Sequence, residues 1–217
     1  MVATNLQKAE LVEVFKEVGK KQIWQKNDYI IGPNQQPPGI FYIDSGLVKA
    51  YDLTKYNEEN LLIVRKSNEI FPLIWAITGQ ERSVIYQALD KTITWRIERS
   101  DFLKLLEDNK SIMNRILDMT VEMYRLHSER ILNLEYRTVR ERIISFLFTM
   151  SRRFGIETDE GIKIELPLRH QDIASSVNSS RETTSREIGG LSKKGLIEHK
   201  RTYILLKKPD ELRKFIN

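Results

Sequence analysis

Hydrophobic and polar positions change their spacing along the chain. In residues 1–20 the apolar side chains recur at the three- and four-residue intervals of a helix face; they are Leu6, Leu11, Val14, Phe15 and Val18. From Gln22 to Arg99, short β-branched and aromatic runs alternate with turn signals rich in Gly, Pro and Asn. The runs are Tyr29–Ile31, Ile40–Ile43, Leu47–Tyr51, Leu61–Val64, Val84–Ala88 and Thr92–Ile97. Such short strands, about ten residues apart, predict an antiparallel sandwich or barrel.

Helical spacing returns after these strands. Ser100 is placed to cap a short helix, Asp101–Glu107, and a stretch without Gly or Pro then runs from about Ser111 to Leu134. This stretch has two apolar stripes, each with 4-3-4-3 spacing. The first is Ile112, Ile116, Met119, Met123 and Leu126, and the second is Leu117, Val121, Tyr124, Ser128 and Ile131. A helix that packs against one domain needs only one stripe, so the second stripe needs another surface that buries it. That surface is either the same helix of a second subunit or, if the helix is sandwiched inside a monomer, another part of the same chain.

The C-terminal part begins with another predicted helix. This helix covers Thr138–Phe154 and ends at Gly155, and a strand-like segment, Lys163–Leu166, follows. The charge balance and the pattern of apolar and polar positions both change at Arg137–Thr138, which is therefore the expected hinge. We predict a strand-rich domain over residues 1–110, a long helix over 111–136 and a C-terminal domain over 137–217.

Residues 169–206 have the pattern of a winged helix-turn-helix. Two short amphipathic helices are predicted around Asn178, a residue type that tolerates the positive φ of a tight turn. Ser179 or Ser180 can cap the second helix, with Glu182 in its first turn. The expected core positions are Ile173, Ala174, Val177, Thr184, Ile188 and Leu191. The segment 195–197 then turns the chain into a two-stranded wing with Lys200 and Arg201 at its tip.

The outward face of the second helix carries the candidate chemistry. This face consists of Arg181, Glu182, Ser185 and Arg186, close to the N-terminus of the helix. In the major groove Arg pairs with guanine and Glu accepts from cytosine, and basic wing residues suit phosphates. Taken alone, the face is equally well explained as a solvated surface with a Glu182–Arg186 pair. The complete pattern of capped helix, Gly turn and basic hairpin favours DNA binding.

Charge and composition support a polyanion partner at one end of the chain. The net charge is +5, and residues 137–217 hold 17 Lys and Arg against 11 Asp and Glu, whereas residues 1–136 are almost neutral. The absence of Cys excludes disulfides and Cys-held metal sites and fits a reducing interior. We find no secretory signal pattern and no apolar stretch long enough to span a membrane, so we expect a cytoplasmic protein.

The sequence SSRETTSREIGGLSKKGLI resembles the recognition-helix signature of the Crp/Fnr regulators. GIFYIDSGLVKAYDL resembles the β-roll hairpin of the cyclic-nucleotide-binding fold, and ERSDFLKLLEDN resembles the family's exit into its dimer helix. The resemblance covers about Gln22 to Leu206. It implies an α+β protein with an N-terminal sensory antiparallel β-roll (a cyclic-nucleotide-binding-like jelly roll), a long dimerisation helix and a C-terminal winged helix-turn-helix. It also implies a homodimer on a pseudo-palindromic double-stranded DNA operator, RNA polymerase as a partner, and the second stripe at the subunit interface.

The resemblance assigns roles by position. Arg181, Glu182 and Arg186, with Ser185 on the same face, are the expected base readers, and the expected phosphate contacts are Arg169, Ser180, Thr183, Lys200 and Arg201. Asn178 stands where the family usually has Gly, a departure that leaves the DNA contacts unchanged.

The sensor segment departs from the family pattern for cyclic nucleotides. Arg82-Ser83 matches its phosphate-contacting end, but Phe71-Pro72 stands where Gly-Glu is expected. The ribose-binding carboxylate is thus missing, and Pro72 removes a backbone donor. We therefore expect cyclic AMP not to be the effector and the pocket to be filled or hydrophobic. If an effector binds, the expected contacts are Phe71, Trp75, Arg82, Ser83, Tyr124, His127 and Ser128.

Other functions are less well supported by the residues. His127, His170 and His199 have no metal-ligand spacing, and we expect His170 and His199 to face solvent or DNA and the protein to need no cofactor or metal. The chain has no Gly-rich phosphate loop, paired-carboxylate motif or HExxH, which disfavours an enzyme with a nucleic-acid-binding tail. The C-terminal motif disfavours a cyclic-nucleotide-binding regulatory subunit. The predicted function is that of an effector-responsive transcription regulator.

Overall fold

The computed structural model describes residues 5–216 and, for side chains, residues 11–216. In chain order the elements are α1 (Asn5–Val18), β1 (Lys20–Trp24), β2 (Tyr29–Ile31), β3 (Ile40–Ser45), β4 (Val48–Leu53), β5 (Glu59–Arg65), β6 (Ile70–Phe71), α2 (Leu73–Thr78), β7 (Ile85–Ala88), β8 (Thr92–Ile97), α3 (Arg99–Asp108), α4 (Lys110–Tyr136), α5 (Val139–Phe154), β9 (Gly155–Thr158), β10 (Gly161–Ile164), α6 (His170–Ser176), α7 (Arg181–Lys193), β11 (Ile197–His199), β12 (Ile204–Leu206) and α8 (Pro209–Arg213). They form two compact units, one ending at Met123 and one beginning at Tyr124, so that α4 contributes to both.

The first unit is built on two four-stranded antiparallel sheets. Their strand orders are β1-β8-β3-β6 and β2-β7-β4-β5. The packing of strand β3 explains why its sequence is continuously apolar. Phe41 and Ile43 lie in the core that includes both sheets, whereas Ile40 and Tyr42 pack against the helices on the opposite face. Both faces of β3 are covered, which accounts for four consecutive buried residues instead of an alternating pattern.

The helical layer covers the first sheet through aromatic contacts. Phe15 of α1 lies 5.5 Å from the Tyr42 ring and 6.5 Å from the Phe102 ring of α3, measured between ring centroids. Ile112 and Ile116 at the start of α4 belong to the same core. The predicted N-terminal helix is confirmed over α1, while residues 1–4 and the Leu6 side chain lie outside the described residues.

The six predicted strands are confirmed, with ends that differ by at most two residues. Strands β1 and β6 and the helix α2 were not predicted, because none of them shows a complete periodic pattern. The prediction that Ser100 caps the short helix is wrong. Helix α3 starts one residue before Ser100, after Glu98 in extended conformation, and Phe102 N donates to Glu98 O at 3.1 Å.

The two apolar stripes of helix α4 differ in how far their side chains are exposed. In the first stripe Ile112, Ile116, Met119 and Leu126 are at most 9% exposed, and Met123 is half-buried. In the second stripe Leu117, Val121, Tyr124 and Ile131 are 58%, 58%, 75% and 56% exposed, and Ser128 is half-buried. The chain therefore buries one stripe itself and leaves the apolar members of the other in solvent.

The second unit packs α5, α6 and α7 with a sheet of order β11-β12-β10-β9. Thr138 caps α5 in a capping box with Glu141, as the predicted helix start requires, and Arg137–Thr138 stays a predicted hinge. The predicted boundaries of the strand-like segment, Lys163–Leu166, are wrong. The strand β10 covers Gly161–Ile164 and pairs with β9. Strand β9 is exposed throughout, so no buried alternation marks it. No helix within residues 5–216 is both long and apolar enough to cross a membrane.

Candidate nucleic-acid interface

A tight turn sets the angle between α6 and α7. Asn178 has φ +49°, as its position between the two helices predicts, and Ser179 N donates to Ala174 O at 3.0 Å. Ser180 is the N-cap of α7, since its hydroxyl accepts from Thr183 N at 3.1 Å. All six predicted core positions are at most 3% exposed. The helix-turn-helix is thus held from inside by apolar packing and at the turn by a local cap.

The buried side of α7 determines which side chains face outward. Thr184, Ile188 and Leu191 are buried on one face, whereas Arg181, Glu182 and Arg186 are exposed and Ser185 is half-buried. The predicted face therefore exists as a surface on the first two turns. Unsatisfied N–H groups make this end of a helix attractive to phosphate and other anions.

The hydroxyls next to this face already have intramolecular partners. Thr183 Oγ1 lies 3.1 Å from Ser180 Oγ and 3.4 Å from Arg186 Nη2. Ser180 and Thr183 therefore build the cap while remaining near the helix terminus, where they were predicted to contact phosphate. Behind the face, Glu187 accepts from Arg140 Nε of α5 at 2.6 Å, which ties α7 to the helix beneath it.

Arg169, another predicted phosphate contact, precedes α6 as its N-cap. Its guanidinium donates to both carboxylate oxygens of Asp172, at 2.9 and 3.1 Å, and the Arg169 side chain is 61% exposed. A guanidinium has five N–H donors in a planar fork. The Asp172 pair thus orients Arg169 at the surface of the domain, where the predicted phosphate contact stays a prediction.

The wing places two cations at its tip. Gly195 turns the chain with φ +68°, and β11 and β12 are joined by residues 200–203, where Lys200 N donates to Tyr203 O at 2.9 Å. Lys200 Nζ lies 2.9 Å from a Glu198 oxygen. Hydrogen bonds from Lys207 and Lys200 lower the pKa of Glu198 to about 2, and the same carboxylate raises the pKa of Lys200. Lys200 is accordingly cationic at neutral pH, and the Arg201 side chain next to it is exposed.

His170 and His199 form a contact that was not predicted. His170 Nε2 lies 2.9 Å from His199 Nδ1, the rings stack at 4.6 Å, and His199 Nε2 lies 3.0 Å from Leu168 O. The expectation that both face solvent or DNA is wrong, because both are half-buried against each other. A carbonyl only accepts, so His199 donates from Nε2 and His170 donates to His199 Nδ1. This chain of bonds links the wing to the start of α6.

We expect the stability of the protein to fall below neutral pH because of this pair. The pKa of His170 is lowered, first by burial and then by the electrostatic interaction with His199 and Arg181. The unfolded chain takes up the proton nearer pH 6.5, so the contribution of His170 is complete above that pH and declines as the pH falls toward the folded pKa. Thermal midpoints between pH 8 and pH 5 should fall less steeply in His170→Gln than in the native protein. His127→Gln, at an exposed position of α4, is the control, and equal slopes in the native protein and His170→Gln would contradict the expectation.

The predicted sensor residues of the first unit lie in different environments. Phe71 has no exposed surface and stacks between Phe41 at 5.2 Å and Tyr86 at 4.6 Å. Trp75 on α2 is half-buried against the helical layer. Arg82 and Ser83 are exposed in the segment before β7. The aromatic stack fills the space between the sheets next to the position where the family pattern has Gly-Glu.

The other predicted sensor residues belong to the second unit. On α4, Tyr124 is 75% exposed, His127 is exposed and Ser128 is half-buried. The seven predicted effector contacts are therefore divided between two compact units. Their joint participation in one site stays a prediction.

Comparison with known proteins identifies both parts of this architecture. Residues 21–109 match the cyclic nucleotide-binding domain, and residues 141–215 match the Crp-like helix-turn-helix domain. The second match contains α6, the Asn178 turn, α7 and the wing. The chain belongs to the Crp/Fnr family of transcription regulators.

Crp/Fnr relatives align over most of the chain. The global nitrogen regulator of Nostoc sp. is 26% identical over 195 residues, which is 87% of this chain and 85% of the relative. The anaerobic regulatory protein of Bacillus subtilis is 24% identical over 211 residues, 93% of this chain and 89% of the relative. A CooA variant from Carboxydothermus hydrogenoformans has the same fold, with a TM-score of 0.80 at 23% identity over 99% of this chain and 98% of that one. Crp/Fnr proteins regulate transcription through the helix-turn-helix domain and are not enzymes.

Proposed function

We propose that the protein is a homodimeric, sequence-specific transcription regulator of the cytoplasm that responds to a small-molecule effector other than cyclic AMP. The exposed face of Arg181, Glu182, Ser185 and Arg186 on a capped helix carries the proposal. Arg169, Ser180, Thr183, Lys200 and Arg201 are assigned to phosphates around it. RNA polymerase is the expected protein partner of such a regulator.

The proposed operator has two half-sites about one helical turn apart, since dimer symmetry is mirrored in the DNA. By family resemblance, the base-reading set suggests half-sites close to TGTGA. Selection of binding sites from random duplexes, followed by fluorescence anisotropy at fixed salt, tests this proposal. We expect a pseudo-palindrome to be enriched and to bind at least a thousandfold more tightly than random DNA. Equal affinity for both would contradict a sequence-specific regulator.

The homodimer is supported by the second stripe of α4, whose apolar residues are more than half exposed. A matching helix of a second copy would cover these residues and would place two recognition helices in symmetric positions. In this assignment residues 1–110 form the sensory domain, 111–136 the dimerisation helix and 137–217 the DNA-binding domain. The long helix then connects the sensor to the DNA-reading domain.

We expect cyclic AMP to bind at least tenfold, and up to about a thousandfold, more weakly than to an intact family site. The missing ribose carboxylate removes a charged hydrogen bond of about 1.5–3 kcal/mol, and Pro72 removes a backbone donor. Phe71 occupies the neighbouring interior without exposed surface. Isothermal titration measures this affinity. A micromolar dissociation constant, together with tighter operator binding, would contradict the prediction, whereas weak binding through Arg82 at millimolar ligand is consistent with it.

A further inference from the structure

Two imidazole rings join the wing to the start of α6. His170 is the first residue of α6, His199 is the last residue of β11, and His170 Nε2 lies 2.9 Å from His199 Nδ1. The residue before His170 is Arg169, and the residue after His199 is Lys200. Both neighbours are assigned above to DNA phosphates. The two rings therefore connect two parts of the proposed DNA interface that are far apart in the sequence.

The hydrogen bonds fix where the protons of this pair lie. Leu168 O can only accept, so His199 donates from Nε2 and its Nδ1 is left as an acceptor. His170 Nε2 therefore donates to His199 Nδ1, and the lone pair of His170 is on Nδ1. Within residues 11–216, this Nδ1 has no hydrogen-bond partner. A proton can thus be added at His170 Nδ1 while both existing bonds are retained.

The surroundings of the pair oppose an additional proton in the free protein. Within the described residues, the charged and titratable side chains that α6, α7, the wing and its turn place around the pair are Arg169, Asp172, Arg181, Glu198, Lys200 and Tyr203. Burial lowers the pKa of His170, and the electrostatic interaction with His199 and Arg181 lowers it further. Carboxylates, phenols, lysines and arginines ordinarily titrate outside the range from pH 6 to pH 8. The two histidines are therefore the groups of this region that respond to pH near neutrality.

A bound DNA backbone reverses this electrostatic balance. Each phosphate carries a negative charge, and a phosphate at Arg169 or Lys200 lies beside a member of the pair. Negative charge close to an imidazole favours its protonated form. A group that holds its proton more tightly in a complex takes up a proton when the complex forms, so the affinity rises as the pH falls.

We propose that the His170–His199 pair is a proton-linked phosphate site of the DNA interface, which takes up one proton per subunit from the solvent when DNA binds. The proton goes to His170 Nδ1, and the pair keeps its bond between the wing and α6. The resulting imidazolium adds one positive charge beside Arg169 and Lys200. The site rests on the proposed function and deepens it, since it makes DNA binding depend on pH.

Calorimetric titration of the native protein with DNA counts these protons. The selected operator and a random duplex of equal length are each titrated between pH 6 and pH 8, in two buffers of equal ionic strength that differ in their enthalpy of ionisation. The difference between the two observed enthalpies gives the number of protons taken up. We expect uptake with both duplexes, rising toward one proton per bound subunit as the pH falls. Operator binding should be about three- to tenfold tighter at pH 6 than at pH 8.

Variants of His170 and of a neighbouring cation separate the proton from the structural role of the pair. His170→Gln should abolish the proton uptake and flatten the pH dependence. His170→Arg is charged at every pH used, so it should also take up no proton, but it should bind at pH 8 at least as tightly as the native protein. Lys200→Ala is the matched control. Lys200 is next to His199 but does not titrate in this range, so its loss should weaken binding equally at pH 6 and pH 8 and leave the proton uptake in place.

The outcomes separate this site from the proposed function. DNA binding without proton uptake in the native protein, or equal uptake in the native protein and His170→Gln, would overturn the proton-linked site alone. Equal affinity of the native protein for the two duplexes would contradict the sequence-specific regulator, while uptake with either duplex would still support the site. Binding of neither duplex would overturn both. Should a His170 variant not fold, the proton count of the native protein decides.

Discussion

Replacing Arg186 with alanine is expected to weaken binding to the selected operator by about 1–3 kcal/mol and to relax the preference at one base pair of each half-site. The side chain is exposed on the outward face of α7, next to the Thr183 hydroxyl. A bidentate pair with guanine is lost, whereas the helix keeps its Ser180 cap and its buried residues. Anisotropy titrations against the operator and its single-base variants measure both effects.

Lys200→Ala is the control for Arg186→Ala. Lys200 is exposed at the tip of the wing, where it pairs with Glu198 of the same chain, and a phosphate is its expected DNA contact. Its replacement should weaken binding to all DNA sequences alike. It should also reduce the slope of log affinity against log salt concentration by about one. If Arg186→Ala weakens specific and random DNA equally, Arg186 does not read a base.

Combining Val121→Glu with Ile131→Glu is expected to convert a dimer into a monomer. Both side chains are more than half exposed in the single chain and belong to the second stripe of α4. In a symmetric interface each contributes about 1.5–3 kcal/mol through burial, and glutamates there bring like charges together on desolvation. Sedimentation at micromolar concentration should show the mass of one chain, and affinity for a two-half-site operator should fall.

The matched control is Glu122→Lys, which changes a charge at an exposed position of α4 on the side of the helix away from the second stripe. This variant should sediment like the native protein. A native protein that is monomeric at micromolar concentration would contradict the proposed dimer. It would leave the exposed second stripe without an explanation.

The DNA-binding unit shows how far local rules reach. A residue that tolerates positive φ, a Ser cap and apolar positions at helical spacing sufficed to predict α6, the Asn178 turn and α7. Each of these features depends on neighbours within about four residues. The same rules failed at Ser100, because the end of β8, not the nearest capping residue, decides where α3 begins.

Local sequence information predicts only part of the structure of helix α4. Periodicity alone reveals both apolar stripes of this helix, since both have the same spacing. It cannot say which stripe the chain itself buries, because that depends on the sheet and helices that pack against α4. The family resemblance assigned the second stripe to the interface, and the structure leaves that stripe exposed.

By itself, the sequence determined the class of the protein, the two-part architecture and the outward face of α7 that we propose reads DNA, because caps, periodicity and short motifs are properties of contiguous residues. The tertiary structure alone decided a long-range feature. His170 meets His199 across 29 positions of sequence. This contact is set by how distant segments dock, and no pattern within either segment encodes its partner.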